Sequence, residues 1–213
     1  CFYIVSKILR QNCKIIWHNE FSISKVDCII VPGGFSYGDY LRTGSIASQS
    51  RISNALIKFA DQGGTVIGIC NGFQILTELK LLPGTLVRNK NLKFICKDIN
   101  LKVNKNSRFT NLYNNNEVIR IPIAHAEGNY YTDKKTLKKL KDNDQIIFSY
   151  CNENGDITKE SNPNGSLLNI AGITNKKGNV IGLMPHPERV SEKVFNNTDG
   201  IKFFKSVVNY HNY

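Results

Sequence analysis

The chain has 213 residues, of which 41% are hydrophobic and 21% charged, a composition typical of a globular protein and not of a disordered or disulfide-rich chain. No run approaches the roughly 18 to 20 apolar residues that a membrane-spanning helix needs, and no signal peptide is evident. Lys and Arg number 28 and Asp and Glu 17, which leaves a net charge of +11. We therefore expect a cytoplasmic protein without a membrane partner.

Short β-branched apolar runs alternate with helical patterns along the chain. This alternation predicts an α/β fold with a largely parallel sheet flanked by helices on both faces. The predicted strands are residues 14–18, 27–34, 65–70, 118–124, 145–151 and 180–184. We expect one domain, residues 1–213.

Three further patterns refine this prediction. Apolar residues recur at helical spacing before Gly63 and again near the C terminus, which predicts a helix at each place. Residues 85–130 hold strand-like pieces with few helical signals and predict an antiparallel excursion. The segment 152–166 is dense in turn-forming residues and predicts an exposed loop.

A predicted strand ends in Gly68-Ile69-Cys70-Asn71-Gly72, and a predicted helix begins at once. Flanking glycines permit the tight strand-to-helix turn on which hydrolases present a nucleophile. The positive end of the helix dipole favours the thiolate form of a cysteine there. Cys70 is therefore a candidate nucleophile; the alternative is an inert core cysteine, because cysteines are often simply buried.

A cysteine nucleophile needs a histidine that moves protons and a group that orients this histidine. His186 follows the predicted strand 180–184, and Glu188 lies two residues further, so at strand pitch both side chains point to the same side. His125 and Glu127 form a second pair of the same spacing after another predicted strand. Local spacing does not distinguish between the two pairs.

Pro32-Gly33-Gly34 ends the predicted strand at residues 27–34 and leads into a loop. A backbone N–H of this turn and that of Asn71 together are candidates for an oxyanion hole, with a plain connecting loop as the alternative. The six cysteines show no CxxC pair and no metal-type spacing, so we expect reduced thiols and no metal site.

The positive charge is concentrated in two clusters, Arg88 to Arg108 and Lys134 to Lys141. The second has no aromatic residue among its lysines, which argues against nucleic-acid binding. A solvated surface is the simplest interpretation, and a docking surface for an acidic partner is the alternative.

Together these residues resemble the class I (triad) glutamine amidotransferases, and within them the glutaminase subunits of phosphoribosylformylglycinamidine synthases. The segments that carry the resemblance span nearly the whole chain: WHNE, PGGFSYGDYLRTGSIA, GICNGFQILTELKLLPG, LKFICKDINLKV, IPIAHAEGNYY, NPNGSLLNIAGITN and MPHPERV. The elbow and the His-x-Glu pair are shared across the superfamily, whereas GGFSYGDYLR and HAEGNYY point to these subunits.

The resemblance implies a set of site residues and prefers the C-terminal His-x-Glu pair. It implies that Cys70 is the nucleophile, His186 the general base and acid, and Glu188 the carboxylate that orients His186. It also implies that Gly34 and Asn71 donate to the oxyanion and that Gln74 is part of the glutamine pocket. It implies that glutamine is hydrolysed through a cysteine thioester. The ammonia would pass to a synthetase subunit that makes formylglycinamidine ribonucleotide, in a complex with a small accessory subunit. No cofactor is implied in this chain, and ATP and Mg²⁺ are expected in the synthetase.

Two departures from the family pattern are visible. Ala126 stands where the family has Gly, and its methyl group would strain a backbone of positive φ. The family begins with a buried strand, and Cys1 aligns with the end of the turn after it, so we expect the domain to lack its N-terminal strand. Two other functions stay open: another α/β hydrolase with a cysteine elbow, and a non-catalytic regulatory protein of the same fold.

Overall fold

The fold is that of a computed structural model, which describes residues 1–39 and 42–212. Four α-helices and nine strands follow one another along these residues. In chain order they are β1 (Cys28–Val31), α1 (Ser53–Asp61), β2 (Thr65–Ile69), α2 (Asn71–Glu78), β3 (Thr85–Val87), β4 (Ile95–Val103), β5 (Val118–His125), β6 (Asn129–Tyr131), α3 (Lys134–Asp142), β7 (Ile146–Cys151), β8 (Ile170–Thr174), β9 (Val180–Leu183) and α4 (Ile201–His211).

Seven strands form one sheet in the order β1-β2-β9-β8-β7-β4-β5, and β3 pairs with β6. The strands β1, β2 and β9 are parallel, and every other pairing is antiparallel. The predicted α/β class and the antiparallel excursion at 85–130 are confirmed. The sheet is mixed and not largely parallel, however, because β7 and β8 also pair antiparallel with their neighbours. Their apolar sequences resemble those of buried parallel strands, so the sequence does not reveal this direction.

Helices cover both faces of the sheet, as predicted. A methyl group on Gly68 would lie 2.6 Å from Leu76 Cδ1, which places α2 on the face of β2 that Gly68 occupies. Thr65 Oγ1 lies 3.0 Å from His211 Nε2 of α4. Because Thr65 and Gly68 are an odd number of residues apart, they point to opposite faces. Every residue of β2 and β9 is accordingly buried.

The predicted strand at residues 14–18 is wrong. These residues form no strand, and Ile15 and Trp17 are 71% and 63% exposed. A β-branched run favours extended backbone, but a strand needs a neighbour for its N–H and C=O groups. Within the described residues, β1 pairs only with β2, and residues 14–18 join neither sheet.

The predicted helices are confirmed as α1, α2 and α4, and the cluster Lys134 to Lys141 lies on the short helix α3. Asp133 caps α3, because its carboxylate accepts hydrogen bonds of 2.9 Å from the N–H groups of Lys135 and Thr136. Among the described residues, no helix is both long and apolar enough to cross a membrane. Residues 152–166 form no helix or strand, but the end of this segment is buried, as described below.

Candidate active site

The candidate residues meet where three neighbouring parallel strands end. Gly33 and Gly34 follow β1, Cys70 follows β2, and His186 follows β9 closely. The register aligns Ile69 with Leu183, and the N–H of Cys70 donates a 2.8 Å hydrogen bond to the carbonyl of Leu183. The carboxyl ends of parallel strands are where α/β proteins gather their sites.

Cys70 occupies a strained turn between β2 and α2. Its φ of 52° and ψ of −106° are unusual for a residue with a side chain, and such strain typically costs about 1–3 kcal/mol. A methyl group on Gly72 would lie 1.9 Å from the Val31 carbonyl oxygen, and one on Gly68 would lie 2.8 Å from that of Gly72. The two glycines of the elbow are therefore needed for close backbone approach. The turn leaves Cys70 Sγ 3.7 Å from the Ala124 carbonyl oxygen.

His186 is paired with Glu188. The His186 Nδ1–H donates to Glu188 Oε1 at 2.7 Å, and the ring is only 2% exposed. The backbone N–H of His186 donates to the Pro122 carbonyl at 2.8 Å, which ties this segment to β5. His186 Nε2 is buried and has no hydrogen-bond partner within the described residues. A proton on Nδ1 leaves Nε2 as the acceptor that a general base requires.

Gly33 brings Cys70 and His186 together on one side of the loop after β1. A methyl group on Gly33 would lie 2.8 Å from His186 Cε1 and 3.4 Å from Cys70 Cβ. The side chains of Cys70 and His186 therefore both lie close to the position that a Cβ atom of residue 33 would occupy. This contact joins the cysteine elbow to the C-terminal His-x-Glu pair.

We expect Gly33→Ala to lower the catalytic rate of this site about 10²-fold, because the new methyl group must displace the His186 ring and misplace a reacting group. Gly34→Ala is the matched substitution. A methyl group there meets nothing within 4 Å, and alanine keeps the backbone N–H, so a much smaller loss is expected. Steady-state kinetics of both variants measure the difference; equal losses would contradict the steric explanation.

The predicted oxyanion donors, Gly34 and Asn71, lie in the turns that follow β1 and β2. Asn71 is the first residue of α2, where backbone N–H groups lack helical partners. Within the part of the chain that the structure describes, neither its N–H nor that of Gly34 donates a hydrogen bond. Both groups are thus available to a developing negative charge.

Gln74, the predicted glutamine-pocket residue, is buried and already hydrogen-bonded. Its Nε2 donates to the Glu127 carbonyl at 2.7 Å, and its Oε1 accepts from Asn71 Nδ2 at 3.0 Å. Asn71 Oδ1 in turn accepts from the Ser36 hydroxyl of the loop after β1. Gln74 therefore links α2 to the turn after β5 at one wall of the site.

The second His-x-Glu pair does not form a dyad. His125 Nδ1 donates to Asn89 Oδ1 at 3.1 Å, and this oxygen also accepts from the N–H of Gly128. Glu127 instead accepts from the Thr43 hydroxyl and lies 3.8 Å from Arg88 Nε. The structure therefore distinguishes the two pairs that local spacing left equivalent.

His125 lies close enough to His186 for their charges to interact. Burial, together with the smaller effect of the nearby His186, lowers the pKa of His125 from 6.5 to about 4. His125 is 3% exposed, and its Nε2 has no hydrogen-bond partner within the described residues. We infer a histidine that stays neutral at physiological pH.

This shift predicts that acid destabilises the fold. Between pH 6.5 and about 4, His125 is protonated in the unfolded chain but stays neutral in the folded chain. The free energy of unfolding therefore falls as the pH falls through this range. The full loss is about 3 kcal/mol, complete below both pKa values. Urea unfolding at several pH values measures it. His125→Gln should flatten the dependence in this window, and an unchanged slope would contradict the assignment.

Sequence reasoning missed the residues that support the turn after β5. Asn164 Nδ2 donates to the Gly128 carbonyl at 2.8 Å, and Ser166 Oγ donates to the same oxygen at 3.2 Å. Both are buried, although they end the segment predicted to be an exposed loop. Asn89 is also buried, and sequence reasoning missed it as well. In all three cases a polar residue in a polar stretch usually indicates solvent exposure.

Ala126 causes no backbone strain. Its φ lies outside the left-handed region, and its carbonyl accepts a 2.9 Å hydrogen bond from the N–H of Asn89. The strain expected from replacing a family glycine is therefore absent.

Comparison with known proteins agrees with this geometry. Residues 5–211 match the family model of the CobB/CobQ-like glutamine amidotransferase domain. The phosphoribosylformylglycinamidine synthase subunit PurQ of Moorella thermoacetica is 53% identical over 209 residues, which is 98% of this chain and 89% of that protein. The subunit of the same name from Aquifex aeolicus is 49% identical over 97% of this chain and 92% of its own length. The solved structure of PurLQS from Thermotoga maritima gives a TM-score of 0.78 at 43% identity, covering 89% of this chain and 82% of that chain.

Proposed function

Because the chain belongs to the family of CobB/CobQ-like glutamine amidotransferases, we propose that it is the glutaminase subunit of a phosphoribosylformylglycinamidine synthase. It hydrolyses glutamine to glutamate and ammonia. The ammonia is used by a synthetase subunit that converts formylglycinamide ribonucleotide to formylglycinamidine ribonucleotide in purine biosynthesis.

The observation that carries this proposal is the meeting of Cys70 with the hydrogen-bonded pair His186 and Glu188 around Gly33. Identity of about half of all residues with subunits named for this complex gives the substrate and the partners. The name PurLQS of the similar solved structure also supports assembly with a synthetase and a small accessory subunit.

In the proposed reaction, His186 Nε2 first takes the proton of the Cys70 thiol, and Sγ as thiolate attacks the side-chain amide carbon of glutamine. The N–H groups of Gly34 and Asn71 stabilise the oxyanion that forms. His186 donates a proton from Nε2 to the departing nitrogen, so that the C–N bond breaks and ammonia leaves a glutamyl thioester. His186 then takes a proton from water, which hydrolyses the thioester to glutamate and restores the thiolate. Glu188 holds the Nδ1–H tautomer of His186 and stabilises its charged form.

Gln74 is proposed as one wall of the glutamine pocket, with its amide held by Asn71 and by the Glu127 carbonyl. None of the proposed steps requires a cofactor in this chain, and ATP and Mg²⁺ are assigned to the synthetase subunit. The proposal places the complex in the cytoplasm, where thiols stay reduced, since none of the six cysteines forms a disulfide.

The test is reconstitution of the complex. The purified chain is mixed with synthetase and accessory subunits, ATP and formylglycinamide ribonucleotide, and amidine formation is measured with glutamine and separately with ammonium as nitrogen donor. We expect the chain to be required with glutamine and dispensable with ammonium. Glutamine should also protect Cys70 from a thiol reagent that mimics glutamine. A chain that adds nothing to the glutamine reaction would overturn the proposal in favour of a regulatory role or another hydrolase.

A further inference from the structure

Three exposed apolar side chains lie beside the candidate active site. Phe35, Leu92 and Phe94 are 68%, 71% and 52% exposed, and we call them the apolar rim. The ring centroids of Phe35 and Phe94 are 6.3 Å apart, so the two rings belong to one surface. Grouped apolar side chains at a surface indicate binding, whereas single ones are common and need no explanation.

Two segments that border the site contribute to the apolar rim. Phe35 follows Gly34 directly, in the loop after β1. Phe94 precedes Ile95, whose register partner in β5 is His125. A protein bound to the rim would therefore cover the end of the sheet at which Cys70 and His186 meet and at which ammonia is released.

The tip that carries Leu92 is held firmly. Asn89 is fully buried; its carbonyl accepts from the N–H of Leu92 and its Nδ2 donates to the carbonyl of Lys93, both at 2.8 Å. Leu92 has a φ of 58°, a conformation that asparagine adopts far more readily than leucine. Folding alone therefore does not explain an exposed leucine here. Because the backbone of this tip is already held in place, ordering it on binding costs little entropy.

The surface next to the rim is positively charged. From residue 88 to residue 97 every charged side chain is an exposed cation, and these are Arg88, Lys90, Lys93 and Lys97. Asp98 lies 2.8 Å from Arg120 Nη2, outside this set. Glu127 lies 3.8 Å from Arg88 Nε and offsets part of its charge, but Lys90, Lys93 and Lys97 have no ion-pair partner among the described residues. A partner that fits this surface needs an apolar patch flanked by carboxylates.

We propose that the apolar rim and its four cations form the docking surface for the synthetase subunit. This inference rests on the proposed function, which requires such a partner to receive ammonia. The apolar side chains supply affinity at the centre of the contact. The cations steer the acidic partner into register and speed its association.

The test measures the dissociation constant between the full chain and the synthetase with its accessory subunit by isothermal titration calorimetry. We expect Leu92→Asn to weaken binding about tenfold or more. The variant should fold normally, because asparagine is favoured at this φ. Leu168→Asn is a matched control, since Leu168 is also exposed, has a φ of 50° and lies near Lys141 and Asp144. It should leave the dissociation constant unchanged.

The charge part of the inference has its own pair of variants. Lys93→Glu and Lys134→Glu change the net charge equally, but only Lys93 lies beside the rim. We expect Lys93→Glu to weaken binding more than Lys134→Glu at low salt and the difference to shrink at high salt, because ions screen exposed charges.

The outcomes separate this inference from the proposed function. If the wild-type chain supports glutamine-dependent amidine formation and Leu92→Asn binds as tightly as wild type, the docking surface is overturned and the proposed function stands. A wild-type chain that neither binds nor supports the reaction overturns both. If sedimentation shows that Leu92→Asn only abolishes self-association, the rim binds a second copy of this chain, and the inference is overturned.

Discussion

Replacing Cys70 with serine should lower the glutamine-dependent rate of the reconstituted complex by about 10⁴-fold or more, because removing the nucleophile of a catalytic unit removes most of its rate enhancement. A serine hydroxyl keeps the size and hydrogen bonding of the thiol but is far less acidic. The measurement is amidine formation with glutamine as nitrogen donor. The rate with ammonium should stay at the wild-type value, because the synthetase reaction itself is untouched.

Cys151→Ser provides the matched control for this variant. Cys151 is also buried, but it ends β7, away from any elbow, and burial raises its pKa to about 11. This cysteine is therefore a thiol at neutral pH and has no nucleophilic role. We expect Cys151→Ser to keep the glutamine-dependent rate. If Cys70→Ser retained the rate as well, the thioester route would be wrong.

Replacing His186 with glutamine should lower the same rate by about 10²- to 10⁴-fold, the usual contribution of proton transfer by a positioned histidine. Glutamine leaves no group at Nε2 that both takes and gives a proton. Because Cys70 remains in place, single-turnover experiments should show slow thioester formation as well as slow hydrolysis. The ammonium-dependent rate again serves as the internal standard.

His125→Gln is the comparison that tests the choice between the two histidines. His125 bonds to Asn89 and stays neutral, whereas His186 bonds to a carboxylate that stabilises its charged form. We expect a much smaller loss for His125→Gln at neutral pH, together with the altered acid stability predicted above. A larger loss for His125→Gln than for His186→Gln would reverse the assignment of the general base.

Local sequence predicted the parts of the site that lie within one turn of the chain. The two glycines around Cys70 indicated an elbow, and the close contacts of Gly68 and Gly72 explain why other residues do not fit. The spacing of His186 and Glu188 allowed the hydrogen bond that they form, although His125, at the same spacing from Glu127, bonds to Asn89 instead. The buried strands β2 and β9 were evident as short apolar runs, because strands covered on both faces have no polar alternation.

Local sequence patterns did not predict the contacts between segments that are far apart in the chain. The strand expected at residues 14–18 failed because pairing depends on a neighbour, which propensity does not supply. The buried roles of Asn89 and Asn164 depend on hydrogen bonds to Gly128 and its surroundings, far along the chain, so their polar sequence context was misleading. The direction of β7 was equally hidden, because apolar runs do not reveal orientation, and β8 was not among the predicted strands.

The sequence by itself determined the α/β class, the cysteine elbow and a short set of candidate site residues, since each depends on spacing along a few residues. Only the tertiary structure shows why His186, which the family resemblance already favoured, and not His125 is paired with a carboxylate beside Cys70. The register of β2 against β9 and the bare α-carbon of Gly33 bring Cys70 and His186 together, while Asn89 binds His125. The physical reason is that a catalytic pair depends on the distance in space between two side chains, and the number of residues between them in the sequence does not give that distance.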